Sequence, residues 1–220
     1  MICAFFDVDG TILKINSMLS FFDYWTNNNK LNKLRDSFYK EFKRLTDCQC
    51  SREVMNKKYY SFFKGFSEKE IFSQGQLWFN DQILNKDVFI QEVVALISEH
   101  KIKGHKIVFV SGSMLPLLEP IGRLLNVDDI LCVKPVKNRE GILTGDIGGF
   151  QTIGIGKKEA ILEYATNQNI DLVKSYSYGD DITDMSMMEC VGNAVCVGGD
   201  SALALYTGDI SNKNLKIINI

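Results

Sequence analysis

The stretch Ile2-Cys-Ala-Phe-Phe-Asp-Val-Asp-Gly-Thr-Ile-Leu13 decides how the chain is read. Residues 2–6 are apolar without interruption and rich in β-formers, the pattern of a strand buried on both faces, as in a parallel sheet. The run stops at Asp7, and Asp9, Gly10 and Thr11 follow closely. Open α/β sheets bind ligands in the crevice outside the carboxyl ends of such strands. On its own, Asp9-Gly10 reads as a turn. The other reading makes Asp7 a nucleophile and Asp9 its acid/base partner, and the rest of the chain has to decide.

Beyond Leu13 the pattern changes. Apolar and aromatic residues from Ile15 to Trp25 lead into Asn27-Asn28-Asn29. Leu31, Leu34, Phe38, Phe42 and Leu45 then recur at helical spacing. The opposite face carries Lys30, Lys33, Arg35, Lys40, Lys43 and Arg44, a solvated face or one that looks toward an anionic substrate. Val54, Met55, Tyr59, Phe62, Phe63 and Phe66 form a second stripe. Ser67-Glu-Lys-Glu70 predicts a capping box opening a further helix that buries Ile71, Phe72, Trp78 and Phe79. Residues 14–85 therefore read as an all-helical cap domain inserted after the first strand, and residues 1–13 with 86–220 as the core.

From residue 87 strands and helices alternate. A helix through Ile90, Val93, Val94 and Ile97 closes at Gly104, and Lys106 to Ser111 is a second buried strand ending in Ser111-Gly112-Ser113. A helix with Pro116 in its first turn follows. Residues 130–133 read as a third strand, and the glycine-rich 135–153 as a β-hairpin or flap. A helix begins at Gly156. A strand over 174–178 ends in Gly179-Asp-Asp-Ile-Thr-Asp184, another helix follows, and Ala194–Val197 reads as the last core strand.

Composition narrows the function class. At 220 residues the chain buries a sizeable core. With 45% hydrophobic and 24% charged residues it is an ordinary globular composition. A formal charge of -2 supplies no general drive toward nucleic acid or anionic membrane. No apolar run approaches the ~18–20 residues that span a bilayer, and Met1 leads straight into the first strand, so a cytoplasmic location is expected. The six cysteines are scattered, and Cys48-Gln-Cys50 has no neighbouring Cys or His pair to complete a metal clamp. They are expected to be reduced. His100 and His105, at a helix end, read as surface or packing residues.

Three strand ends now carry chemistry: Asp7 with Asp9, Ser111 with Gly112, and Asp180 with Asp184. Right-handed crossovers in a parallel sheet bring such ends to one edge. A lysine opening a helix, Lys157 or Lys158, is the fourth element. The motifs DVDGT (7–11), VFVSGS (108–113), GKK (156–158) and YGDDITD (178–184) together resemble the haloacid dehalogenase superfamily and, within it, the phosphoserine-phosphatase-like branch. GHKIVFVSGS, EGILTGDIGG and IDLVKSYSYGD extend the resemblance, which runs from residue 2 to about 200 and is weak through the helical insert.

The resemblance implies a doubly wound, Rossmann-like α/β core and a Mg²⁺-dependent phosphatase acting on a small phosphate ester. It implies Asp7 as nucleophile and Asp9 as acid/base, with Thr11, Ser111, the Gly112 amide and a lysine holding phosphate. The metal ligands it implies are the Asp7 carboxylate, the Asp9 main-chain carbonyl and the Asp180 carboxylate, with Asp184 orienting metal waters. The family's spacing back from Asp180 favours Lys157, while Lys-x-x-Ile-Leu after Lys158 keeps Lys158 open. Dehalogenases lack the aspartate at position 9 and P-type ATPases carry threonine there, so Asp9 points to a phosphatase, with a phosphotransferase or mutase as alternative. A non-catalytic binding protein on the same fold is the alternative from another class. Phosphoserine phosphatases carry a glutamate for the substrate ammonium where this chain has Asn16, and a neutral amide supplies no charge-assisted contact. The leaving group, cap specificity residues and oligomeric state are left open by the sequence.

Overall fold

The computed structural model describes residues 1–198, 203 and 214–218. A seven-stranded sheet has the order β4-β3-β2-β1-β5-β6-β7, parallel except for β4. Its strands are β1 (Cys3–Phe6), β2 (Lys106–Met114), β3 (Asp129–Lys137), β4 (Leu143–Gly148), β5 (Tyr176–Gly179), β6 (Asn193–Val197) and β7 (Asn214–Ile218). β1 lies between β2 and β5, and the chain builds outward from it first on the β2 side and then, after β4, on the β5 side. The strand order therefore reverses at β1, which makes the carboxyl ends of β1 and β5 the switch-point crevice of a doubly wound sheet.

The apolar run of β1 is buried on both faces because alternate residues serve two cores. Ala4, Phe6 and Val8 join one cluster, whereas Cys3 and Phe5 join another with Val108, Val110, Ile161 and Met187. The first cluster continues from the sheet face into the segment after β1. That segment holds α1 (Ser17–Asn28), α2 (Asn32–Asp47), α3 (Arg52–Ser61), α4 (Glu68–Trp78) and a π-helical turn over Phe79–Ile83. Aromatic rings fill its interior: Phe22 stacks on Phe38 with centroids 4.0 Å apart, and Trp25 on Phe63 at 4.9 Å. Such pairs add about 0.5–1.5 kcal/mol each beyond area burial. No helix among the described residues is long and apolar enough to cross a membrane.

On the sheet side, α5 (Gln91–Ile102), α6 (Leu115–Leu124) and α7 (Ile155–Gln168) connect the strands. His100 is buried, its Nε2 2.7 Å from the Tyr178 hydroxyl and its Nδ1 2.8 Å from His105 Nδ1. Cys48 and Cys50 are free thiols.

Several boundaries differ from the sequence reading. The third strand extends to Lys137 and pairs antiparallel with β4, so of the expected hairpin or flap it is a hairpin that forms, built onto the sheet edge. The helix after Asp184 is the single turn α8 (Met185–Met188). β7 lies outside β6, so Ala194–Val197 is not the last strand. The capping box at Ser67 does not form: no side-chain bond caps α4. The Glu68 amide, one of the free donors of the first turn, instead donates to the Gly141 carbonyl of the hairpin.

Candidate active site

β1 delivers Asp7 to the crevice, and the strand pairing carries on through Asp7 N–H, which donates to the Tyr178 carbonyl. The chain then turns tightly: the amides of Ile12 and Leu13 donate to the Val8 carbonyl and Gly10 N–H to Leu13. Gly10 is the residue this turn requires. Its φ is +88°, and a Cβ there would stand 2.2 Å from Asp180 Oδ2. Gly179 serves the same end from β5, since a Cβ on it would lie 2.5 Å from the Asp184 Cβ.

Three carboxylates meet in this space. One oxygen from each of Asp7, Asp180 and Asp184 lies within 4.8 Å of the others. Lys157, in the first turn of α7, reaches between them with Nζ 2.5 Å from Asp7 Oδ1 and 2.6 Å from Asp184 Oδ1. Asp184 Oδ2 accepts the amides of Asp180 and Asp181, both at 3.1 Å. Asp180 Oδ1 accepts from the Thr11 hydroxyl at 2.8 Å.

Burial pushes the Asp7 carboxyl well up, and Lys157 offsets that only in part against the neighbouring Asp184 and Asp180. Asp180 is pushed up to about 6, by burial and then by Asp184. Burial works against the Lys157 ammonium, but Asp184 and Asp7 outweigh it and hold the lysine charged. Asp9 has a different setting. Its Oδ2 accepts from Ser17 Oγ at 3.0 Å while its buried Oδ1 has no hydrogen-bond partner. Burial raises it to about 6, with Ser17 drawing it back down.

A family model described as haloacid dehalogenase-like hydrolase matches residues 4–189. The chain belongs to that family. It is 30% identical over 205 residues to the inhibition of morphological differentiation protein of Streptomyces azureus, an alignment covering 91% of this chain and 73% of that one. Against a protein of Mycobacterium tuberculosis named a probable phosphatase it is 30% identical over 204 residues, covering 91% and 70%. A substrate-bound phosphoserine phosphatase has the same fold, with a TM-score of 0.65 at 17% identity and 98% and 91% of the two chains covered.

Within this haloacid dehalogenase-like hydrolase, the two lysines go separate ways. Lys157 is buried among the carboxylates, whereas Lys158 turns outward to Glu189 at 3.6 Å. Ser111 stands two residues beyond Phe109, the partner of Phe6 in the β1–β2 register, which places it beside the end of β1. It is buried, its Oγ accepts the Ser113 amide, and its carbonyl accepts from Thr152 Oγ1. The Gly112 carbonyl accepts from Asn56 Nδ2 at 2.9 Å and from the Tyr60 hydroxyl at 2.8 Å, so α3 is pinned to this loop. Thr11 is fully buried with its hydroxyl spent on Asp180.

Ser17, Thr152, Asn56 and Tyr60 escaped the sequence reading. Ser17 is the one a local signal marks: Asn16 caps α1 by accepting the Leu19 amide, which puts Ser17 at the first helical position, facing Asp9. The other three are fixed by tertiary packing and have no local signature.

Proposed function

We propose that this hydrolase is a phosphoric monoester phosphatase acting on a small phosphate ester through a phosphorylated Asp7. The observation that carries the reading is the convergence of Asp7, Asp180, Asp184 and Lys157 on one crevice, with the proton-holding Asp9 two positions from Asp7.

In the first step an Asp7 carboxylate oxygen attacks phosphorus and the ester P–O bond breaks, while Asp9 gives its proton to the departing alkoxide. In the second, water attacks the same phosphorus, Asp9 takes the water's proton, and the P–O bond to Asp7 breaks to release phosphate. A carboxyl group whose pKa lies near 6 holds a proton in part of the population near neutrality and can both give and take one. Lys157 is assigned to the phosphate oxygens, where its ammonium offsets the repulsion between a phosphate dianion and Asp7. Ser111 and Gly112 hold the remaining oxygens. Thr11 acts through Asp180.

The donor set fits Mg²⁺. All the donors are hard oxygens, and one ammonium does not balance three carboxylates, two of them buried. Asp7, the Asp9 main-chain carbonyl and Asp180 would hold the ion, and Asp184, with one oxygen on Lys157 and the other on two amides, would fix its surroundings. Bound there, Mg²⁺ would supply positive charge to the transferred phosphoryl group. Residues 14–85 act as the cap over the crevice, and substrate selection falls to them.

The test compares Asp7→Asn with Asp9→Asn on an aryl and an alkyl phosphate, reading burst kinetics and acid-stable phosphate on the protein. Asp7→Asn should abolish turnover and incorporate no phosphate. Asp9→Asn should lose ~10²–10⁴-fold on the alkyl ester, lose less on the aryl ester, and accumulate the acyl-phosphate. Near-normal turnover by Asp7→Asn would refute the covalent reading.

A further inference from the structure

A cavity of about 140 Å³ is lined by the helical segment and by Ile153. Cavities of about this size accept a benzene ring. Its neighbours tie it to the reaction centre: Met18 follows Ser17, which bonds Asp9; Asn56 donates to the Gly112 carbonyl; and Arg52 pairs with Asp181 at 2.7 Å.

The walls are apolar. Met18, Leu19, Phe42, Met55 and Ile153 supply side chains with no strong hydrogen-bonding group, and Tyr59 has its hydroxyl turned onto the Met18 carbonyl at 2.9 Å. Among the described residues that line the cavity none is acidic. The amide oxygens are engaged as well: Asn16 Oδ1 accepts the Leu19 amide, and Asn56 Oδ1 accepts from Gln151. The one charged lining residue, Arg52, already has its carboxylate partner. An ammonium placed here would face apolar walls and the Arg52 guanidinium, with no carboxylate among the lining residues to pair it. A ring or short hydrocarbon chain would lose nothing.

We infer that this cavity receives the leaving group, that the leaving group is a neutral, apolar alcohol of about the size of a benzyl group, and that amino-bearing esters such as phosphoserine are excluded. This rests on the phosphatase reading and sharpens it.

The test is kcat/KM with Mg²⁺ for benzyl phosphate, 4-(aminomethyl)benzyl phosphate, glycerol phosphate and O-phosphoserine. All are alkyl esters, so differences report the pocket rather than the basicity of the departing oxygen. Benzyl phosphate should exceed its aminomethyl analogue and O-phosphoserine by ~10²-fold or more, in line with what unpaired polar groups cost in a binding site. It should exceed glycerol phosphate by about tenfold, mostly through KM. Met55→Glu adds an acceptor to the wall and should narrow or invert the preference between the benzyl ester and its aminomethyl analogue. Competition by benzylphosphonate and 4-(aminomethyl)benzylphosphonate, read as inhibition constants against any turned-over ester, should give the same order without relying on a variant that folds. Turnover that is equal across the panel, or best with O-phosphoserine, overturns the inference and leaves the phosphatase standing. Failure to hydrolyse any ester, with no phosphate incorporated at Asp7, overturns both.

Discussion

Lys157 and Asp7 are 150 residues apart in the chain, yet the ammonium of one lies 2.5 Å from the carboxylate of the other in a buried crevice. The same ammonium reaches Asp184 at 2.6 Å, so one cation serves two carboxylates. The pair exists because α7 starts where β1 ends, on the side of the sheet to which the chain returns after β4.

Removing that cation should expose how much the fold depends on it. Lys157→Met leaves Asp7 and Asp184 facing each other without a counter-charge, and losing one partner of a buried pair costs about 3–5 kcal/mol. The loss should be largest at pH 8 in chelator. It should shrink toward pH 5, because the carboxyls of the variant have folded pKa values above their unfolded ones, so the folded state takes up protons first and acid stabilises it. Urea unfolding of both proteins at the two pH values measures this. Equal stability at pH 8 would show that the pair is not holding the site together.

Thr11 gives a narrower test. Its hydroxyl is the only described side-chain donor to Asp180 among the hydrogen bonds at this site, and Thr11→Val deletes it at nearly constant shape. The half-saturating Mg²⁺ concentration should rise ~10–100-fold, the range for losing a group that orients a metal ligand, and Thr11→Ser should restore it. If Thr11 held the phosphate instead, the valine variant would raise the substrate KM at unchanged Mg²⁺ dependence.

The division between what could be read from the sequence and what could not follows from how local each signal is. Residues 2–6 announce a buried parallel strand by composition alone, and the carboxylates at strand ends follow from the topology that such strands impose. The helical stripes between 14 and 85 are equally local. The Thr11–Asp180 bond, the Ser17–Asp9 bond and the anchoring of Gly112 by Asn56 and Tyr60 join segments whose spacing carries no periodic signal. Ser67 shows the opposite failure. The local motif is present but the box does not form, and Ser67 is held instead by a bridge to Ile142 of the hairpin, whose Gly141 carbonyl takes the neighbouring Glu68 amide.

His100 predicts an acid sensitivity away from the site. Burial, and then the charges of His105 and Lys103, pull it down to about 4, against about 6.5 in an unfolded chain. Below pH 6.5 the unfolded chain therefore binds a proton that the folded protein does not, and stability falls as pH drops toward 4. Asp7 and Asp180 contribute with the opposite sign, since their folded values are raised. The diagnostic is thus a difference: between pH 7.5 and 5, the urea midpoint of wild type should fall more steeply, or rise less, than that of His100→Gln. Parallel pH dependences would assign the effect elsewhere.

Ser17 ties the first turn of α1 to the proton that the reaction moves. Its hydroxyl is fully buried, 3.0 Å from Asp9 Oδ2 and 3.2 Å from Ser113 Oγ. A serine has one hydrogen to give, so the arrangement that satisfies all three groups has Ser113 donating to Ser17 and Ser17 donating to Asp9. Among the groups that favour the Asp9 carboxylate this hydroxyl acts most strongly, with the Ser17 and Met18 main-chain amides also contributing. In Ser17→Ala the Asp9 carboxyl loses that donor. Burial then acts with less opposition, so its pKa moves above about 6. Two consequences are expected together: kcat falls about 10–100-fold from loss of positioning, and the pH at which Asp9 gives up its proton rises, so whichever limb of the kcat profile Asp9 sets shifts upward. Ser17→Thr keeps the hydroxyl and should recover most of both. The measurement is kcat against pH from 5 to 8 on an alkyl phosphate for the three proteins. A fall in kcat with an unmoved profile would mean that Ser17 supports only the packing of α1, and its action on the Asp9 carboxyl would have to be given up.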